Sequence, residues 1–309
     1  MTLTDSPARQ GAFERAALAS VARHDPLHCL TPGLFRSLRK GQRKTEKLDI
    51  RYNFGGASVR FWGPEPLGVD DMRVLQGLVA LATSQRQLQQ GGEREPLPVT
   101  QEPLEGSVRE PDKERLLKLL EPKFDADLSQ ALVVRGSYRA LAKVIGYEDC
   151  DSGAAFKALR ACVERLWAVS VVVERDGRRQ GFRILSEYAS ELGRGTLTIA
   201  LNPRLAQAIV GAGQYYRLDM REVRLLTTDC ARLLHQRLHW ANPGQSARVS
   251  MNTLCSYVWP EPSDNAQTMK SRRKTVKQAL ANLQALGWTV QEPVAGQFLI
   301  VRPAATLTA

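Results

Sequence analysis

The sequence predicts an α+β fold in which one run of elements occurs twice. Residues 137–185 and 250–302 share the same order of parts: a short helix, a turn, a longer helix and a β-hairpin. Val163 and Leu166 recur 120 residues later as Leu283 and Leu286, and a tryptophan follows each pair within two residues. A helix-turn-helix followed by a hairpin wing is the winged-helix plan. The prediction is therefore tandem winged-helix domains, that is, two helix-turn-helix units each with a β-hairpin wing.

The elements ahead of the first unit follow from turn residues and hydrophobic periodicity. Residues 31–40 predict a short helix with Pro32 in its first turn. Residues 48–62 predict a hairpin that turns at Gly55-Gly56. Apolar residues at helical spacing predict a helix over residues 69–82.

Residues 84–114 interrupt this pattern. They contain five Gln, four Pro and seven acidic residues with almost no periodicity, which predicts a long exposed insertion. The predicted organisation is a flexible tail at residues 1–20, a first winged-helix domain at 21–213 that carries the insertion, and a second at 214–309.

The same signals predict the remaining elements. They are a strand and a helix within residues 132–146, a helix from residue 153, strands at 169–174, 181–188 and 196–201, a helix that Asn202-Pro203 begins, helices at 219–226, 228–241, 250–258 and 268–286, and a last hairpin around Ala295-Gly296.

The charge balance points to a polyanionic partner. The chain has 43 Lys and Arg against 32 Asp and Glu, a net charge of +11, which suits nucleic acid or an anionic membrane surface. No stretch approaches the roughly 18 apolar residues that span a bilayer, and no signal peptide is evident. The five cysteines are scattered without a CxxC pair. We expect a cytoplasmic protein with buried thiols and no membrane partner.

The strongest cationic feature lies on the long helix of the second unit. Residues 268–277 contain five cations and no acid. A buried stripe of Met269, Val276, Leu280 and Leu283 leaves a face that we predict contacts DNA. The predicted DNA-contacting residues of this helix are Lys270, Ser271, Arg272, Arg273, Lys274, Lys277 and Gln278. The alternative is a solvated face, but such faces usually mix charges of both signs.

The first unit has a weaker cationic surface. Its long helix exposes cations beside Glu164, and its wing carries four arginines around Asp176. We expect this unit to hold the DNA backbone, a partner protein, or both; a wing that only faces solvent remains open. The predicted contact residues are Arg139, Lys157, Arg160, Arg178 and Arg179. Residues 36–51 contain seven cations and two acids, so they form either a phosphate-contacting arm or a soluble face.

No motif for catalysis or cofactor binding is present. The sequence lacks GxxxxGK[ST] and GxSxG, so neither a standard ATP-binding loop nor a nucleophile elbow is expected. His235 and His239 have the spacing of metal ligands, but no third ligand is evident, and packing is the preferred interpretation. Tyr215-Tyr216 lack the His-apolar-His metal site of a DNA-nicking enzyme. We expect no enzymatic activity, no cofactor and no metal.

Six longer strings carry a resemblance to a known family. They are HDPLHCLTPGLFRSL (24–38), GPEPLGVDDMRVLQGLVALA (63–82), RGSYRALAKVIG (135–146), RRQGFRILSEYAS (178–190), ARLLHQRL (231–238) and TLCSYVWP (253–260). Spread between about Arg23 and Pro303, they resemble the RepC family of replication initiators of IncQ-type plasmids. The resemblance is weakest in the first 20 residues and in residues 84–114, and it implies no function for them.

The resemblance implies a function and a set of partners. It implies a protein that binds double-stranded DNA at directly repeated sequences (iterons) of a plasmid origin and helps to open an adjacent A·T-rich segment. The implied partners are a plasmid-encoded hexameric helicase and a primase. The wider class of plasmid Rep initiators implies homodimerisation through the first domain. A winged-helix transcriptional regulator that does not open an origin is the alternative.

Overall fold

The computed structural model describes residues 19–54, 56–89, 132–147, 152–191, 195–212, 215–241 and 243–303, and these form a mixed α+β fold. The helices are α1 (Pro26–Leu30), α2 (Gln42–Thr45), α3 (Val69–Gln89), α4 (Tyr138–Ile145), α5 (Gly153–Ala168), α6 (Pro203–Val210), α7 (Met220–Leu225), α8 (Asp229–Leu238), α9 (Met251–Val258) and α10 (Ala266–Ala285). The strands are β1 (Val21–His24), β2 (Leu48–Phe54), β3 (Ala57–Gly63), β4 (Val133–Ser137), β5 (Ser170–Arg175), β6 (Arg178–Arg183), β7 (Leu185–Ser190), β8 (Thr196–Leu201), β9 (Tyr216–Asp219), β10 (Ser246–Ser250), β11 (Thr289–Val294) and β12 (Gln297–Val301). The predicted tail up to residue 18, the predicted insertion from residue 90 and the predicted turn residue Gly55 lie outside the described residues.

Helix α3 passes through the centre of the molecule. From Val69 to Thr83 every residue except Asp70 is buried. Strand β1 and helices α4, α5, α6 and α8 pack around it. Because polar groups are costly to bury without hydrogen bonds, its polar side chains have internal partners. The Gln76 side-chain amide, for example, donates to Oε1 of Gln236 on α8 at 2.6 Å.

The strands of the first unit are divided between two sheets. The hairpin β5–β6 pairs through β5 with β3, which gives the antiparallel order β2-β3-β5-β6. Val59 lies opposite Val173 and Phe61 opposite Val171 in this sheet. Strand β4, which precedes the two helices of the unit, pairs instead with β8 in the sheet β4-β8-β7.

The second unit keeps its strands together. Strand β12 lies between β10 and β11 in one antiparallel sheet, and helices α9 and α10 occupy the chain between β10 and β11. Both units have the predicted order of a short helix, a longer helix and a hairpin. Their sheets differ, because only the second hairpin pairs with the strand that precedes its own helices. The strand predicted at 181–188 is wrong, because the chain divides there into β6 and β7, which belong to different sheets.

The two halves of the chain pack into one core. Strand β9 pairs with β1 along its whole length, so a strand that follows the predicted boundary at residue 213 completes a sheet with a strand near the start. The Arg237 side chain of α8 donates to the backbone carbonyl of Leu30, and Arg224 of α7 donates to that of Val144. Buried apolar residues of both halves form one continuous cluster.

The prediction of a helix over residues 31–40 is wrong. The helix lies earlier, as α1, because Pro26 occupies its first turn and the Asp25 carboxylate accepts from the backbone N–H of Leu27 at 2.8 Å. It ends at an extended Thr31, and the left-handed Gly33 (φ +73°) follows.

Two predicted segment boundaries also need correction. Helix α3 continues to Gln89, so the first six residues of the predicted insertion at 84–114 are helical. Ala19 is buried, and the Ser20 carbonyl accepts from the backbone N–H of Met220 at 2.8 Å. The last two residues of the predicted tail at 1–20 therefore belong to the packed structure.

The close crossing of α3 and α4 generates a stability prediction. A Cβ at Gly77 would lie 2.4 Å from Ile145 Cγ2 and 2.8 Å from Leu141 Cδ1. We expect Gly77→Val to lower the free energy of unfolding by about 1–3 kcal/mol through overpacking, measured by urea denaturation. The control is Gly153→Val on α5, where an added Cβ meets nothing within 4 Å. Equal urea midpoints for the two variants would contradict the close crossing of α3 and α4 at Gly77.

Candidate nucleic-acid interface

Helix α10 begins at a side-chain cap and buries one face. The Asn265 side chain accepts from the backbone N–H of Thr268 at 2.9 Å. Apolar side chains pack this helix against α8 and α9. They are Val276, Ala279, Leu280 and Leu283. Met269, which the periodicity places in the same stripe, is only half-buried.

The opposite face of α10 is exposed and polar. Its exposed members are Lys270, Ser271, Arg273, Lys274, Lys277 and Gln278, as the sequence predicts. Neither Lys270 nor Lys274 makes an ion pair with any residue that the structure describes. Their ammonium groups are therefore available to a polyanion without loss of an internal contact.

The two arginines at the edges of this face contact neighbouring residues. Arg272 is half-buried; its guanidinium lies 5.3 Å from the ring centre of Trp259, and it donates to the Glu261 carbonyl at 2.9 Å. Arg273 lies 3.5 Å from Oδ1 of Asn252 on α9. These contacts hold both side chains close to the start of the helix.

An acid from the second hairpin reaches the face of α10. Glu292 on β11 forms an ion pair with Lys277, with Oε2 3.0 Å from Nζ. The Gly296 backbone N–H and then Lys277 lower the pKa of Glu292 below its ordinary value. The sequence window of residues 268–277 is free of acid, but the folded face therefore carries one. Local periodicity does not report a contact between residues 15 positions apart.

The second hairpin itself carries no cation. Residues 289–301 contain neither Lys nor Arg, and Glu292 and the exposed Val294 lie at the tip. The positive charge of the second unit is therefore concentrated on its helix.

The first unit uses some of its predicted surface cations internally. Arg165 is half-buried and pairs with the buried carboxylate of Asp71 on α3 at 2.8 Å. Arg160 is half-buried too, with its guanidinium 5.8 Å from the ring centre of Tyr138. Arg139 and Lys157 are exposed on α4 and α5. Because Arg165 lies within the packed structure, the cationic face of α5 is smaller than the sequence indicates.

The first hairpin keeps exposed arginines beside acids. Arg178 and Arg179 are exposed, and Nε of Arg179 lies 3.0 Å from Glu174 on the neighbouring strand. Arg175 pairs with Asp176 at 3.2 Å. The Arg179–Glu174 pair is exposed on both sides and contributes little to stability, so Arg179 is able to exchange Glu174 for phosphate.

The segment of residues 36–51, here the basic segment, is tied to the end of α9 and to the connection between α9 and α10. Arg36 is buried and forms ion pairs with Glu46 and with Glu261, which lies between α9 and α10. Arg43 pairs with the buried Asp71 at 3.0 Å. These two arginines are internal. The exposed cations of the segment that make no ion pair with another described residue are Arg39, Lys40, Lys44, Lys47 and Arg51.

Other features of the described residues bear on the remaining sequence predictions. No helix among them is both long and apolar enough to cross a membrane. Four cysteines are buried as free thiols, and Cys150 lies outside the described residues. Burial raises the pKa of the Cys230 thiol to about 12, which makes it unreactive.

Comparison with solved structures supports the fold. The chain is similar to the crystal structure of a selenomethionine derivative of domains 2 and 3 of RctB, with a TM-score of 0.51 and 11% identity over 86% of this chain and 93% of that one. A second crystal structure of RctB domains 2–3 matches with a TM-score of 0.48 and 9% identity, over 82% of this chain and 90% of that one. At 11% identity, the likeness to the first of these structures shows a shared α+β fold only.

The family comparison covers nearly the whole chain. A search of curated proteins finds no match. The family model described as replication protein C (RepC) matches residues 17–304, which include both units and the basic segment. The chain therefore belongs to the replication protein C (RepC) family.

Proposed function

We propose that this protein initiates plasmid replication by binding directly repeated iterons in duplex DNA and helping to open the adjacent A·T-rich region. Membership of the RepC family supports a role in replication. The single structural observation that carries duplex binding is the exposed face of α10, whose Lys270 and Lys274 have no ion-pair partner among the described residues. Lys and Arg on such a helix bind phosphates and guanine edges.

The second unit is proposed to act as a winged helix with α10 as its recognition helix. Helices α9 and α10 followed by the hairpin β11–β12 match that arrangement. The basic segment extends the surface, because Arg36 fixes it to Glu261 at the entrance to α10. We expect the exposed Arg39, Lys40 and Lys44 to meet the DNA backbone beside the groove.

The first unit is proposed to support binding and assembly. Arg139, Lys157, Arg178 and Arg179 offer exposed charge for the DNA backbone. We also propose a homodimer contact in this half and name Trp62, which is 53% exposed on the sheet β2-β3-β5-β6, as a candidate contact residue.

The remaining steps are proposed to depend on other proteins. We propose that the bound protein recruits a plasmid-encoded hexameric helicase and a primase and has no catalytic activity of its own. The sequence, which lacks a nucleotide-binding loop motif, supports this division of labour. The proposed place of action is the cytoplasm, where plasmid DNA is found.

Removing two lysines of α10 tests the recognition face. We expect Lys274→Ala with Lys277→Ala to weaken binding to iteron DNA and to lower the slope of log K against log salt by roughly one unit per lost phosphate contact. Fluorescence anisotropy across a salt series measures both quantities. The matched control, Lys274→Arg with Lys277→Arg, keeps both charges and should keep the slope. An unchanged salt slope in the alanine variant would contradict the proposed contact between α10 and DNA.

Neutralising the acid beside Lys277 should have the opposite effect. Glu292→Gln removes a charge that competes with phosphate for Lys277. We expect iteron binding to tighten roughly two- to fivefold at low salt, since exposed pairs are worth up to about 1 kcal/mol. The matched control is the exposed Glu187 on β7, where Glu187→Gln should change nothing. Equal affinities of the two variants would contradict the proposed position of Lys277 at the DNA.

Permanganate footprinting distinguishes an initiator from a transcriptional regulator. With purified helicase and primase present, we expect protein-dependent reactivity of thymines in the A·T-rich region, because opening exposes unpaired bases. An origin with scrambled iterons is the control. Specific binding to iterons without any new thymine reactivity would favour a regulator that does not open the origin.

A further inference from the structure

Three side chains that can act as metal ligands meet between helix α7 and the end of helix α8. Glu222 on α7, His235 on α8 and His239 directly after α8 each offer a ligand atom, and these three atoms lie within 4.8 Å of one another. Both imidazoles are almost completely buried, and the Glu222 side chain is only 15% exposed. The sequence supplies the two histidines at helical spacing, and the fold supplies the third group from a different helix.

The ligand set fits a borderline metal ion. Two imidazoles and one carboxylate suit Zn²⁺, which binds His nitrogen at about 2.0–2.1 Å and carboxylate oxygen at about 2.0–2.2 Å and leaves a fourth position open. In the structure Nε2 of His235 lies 2.6 Å from Oε2 of Glu222. A small outward shift of these two atoms would bring both to ligand distance from one ion.

His239 provides the second, independent observation. Its Nδ1 lies 2.6 Å from the backbone carbonyl of His235, which fixes Nδ1 as the donor. Its Nε2 is therefore a lone-pair acceptor, and it is buried without a hydrogen-bond partner. In metal-binding histidines, one ring nitrogen usually donates to a backbone carbonyl or a carboxylate while the other nitrogen binds the ion.

Trp288 completes the surroundings. Its indole N–H lies 3.3 Å from Oε2 of Glu222, and its ring centre lies 5.8 Å from that of His235 and 5.7 Å from that of His239. The tryptophan is buried at the start of the second hairpin, so it shields the cluster from water and orients the carboxylate.

We propose that Glu222, His235 and His239 form a binding site for one divalent transition-metal ion of the zinc class. The ion would join α7 to the end of α8. Helix α7 packs against α4 of the first half. A bound ion would therefore also strengthen the contact between the two halves of the chain.

The competing interpretation is a hydrogen-bonded cluster without an ion. Glu222 already accepts from His235 and Trp288, and only Nε2 of His239 is left without a partner in it. The experiment therefore has to detect the ion directly. Full-length protein, stripped with EDTA and desalted, is titrated with Zn²⁺ by calorimetry and with Co²⁺ by visible absorption.

We expect one ion per chain, Co²⁺ absorption of a low-symmetry protein site, and a thermal midpoint that rises with Zn²⁺ concentration. Glu222→Gln keeps an acceptor for His235 and Trp288, so it should fold, yet it should weaken Zn²⁺ binding by more than about tenfold. His239→Gln should do the same, whereas His239→Cys should retain binding, because a thiolate is a zinc ligand.

Glu187→Gln, remote from the cluster, is the control and should bind as the unchanged chain does. Absence of Zn²⁺ binding by the unchanged chain would overturn the proposal. So would equal Zn²⁺ affinity in the unchanged chain and in folded Glu222→Gln and His239→Gln, since the ion would then be bound elsewhere.

Discussion

The burial of α3 on all sides is the constraint on which the rest of the structure depends. Such a helix can be accommodated only if every neighbouring element packs against it and if its polar side chains find partners within the protein. Asp71 illustrates the second condition: its carboxylate accepts from Arg43, Arg165 and the backbone N–H of Gly68. One buried acid thus holds the basic segment and helix α5 in fixed positions.

The same constraint reaches the proposed DNA-binding surface. Helix α8 packs against α3 on one side and α10 on the other, and Gln236 of α8 is hydrogen bonded to Gln76 of α3. Arg36 then links the basic segment to Glu261 next to α10. Helix α10 therefore packs on a helix that both halves share, and the basic segment is tied to the connection that precedes α10.

Local sequence patterns predicted much of this architecture. Hydrophobic periodicity placed α5, α8, α9 and α10, and turn residues placed both hairpins, because these signals depend on neighbours a few positions apart. The outward direction of Lys270 and Lys274 followed from the same periodicity. The predicted helix over residues 31–40 failed for a local reason: Asp25-Pro26 and Pro32-Gly33 both resemble helix starts, and only the first has a capping contact.

Pairings distant in sequence could not be predicted in this way. The partnership of β5 with β3, the ion pair of Arg165 with Asp71 and that of Lys277 with Glu292 all depend on tertiary packing.

The central claim is that the exposed face of α10 lies in a groove of iteron DNA. Its most direct measurement is photo-crosslinking from a probe on Ser271→Cys, an exposed position between Lys270 and Lys274, after replacement of any reactive native cysteine. The account predicts crosslinks to bases within the iteron, and these crosslinks should disappear when the iteron sequence is scrambled. A lack of crosslinks to the iteron, or equal crosslinking to iteron DNA and to scrambled DNA, would contradict the account.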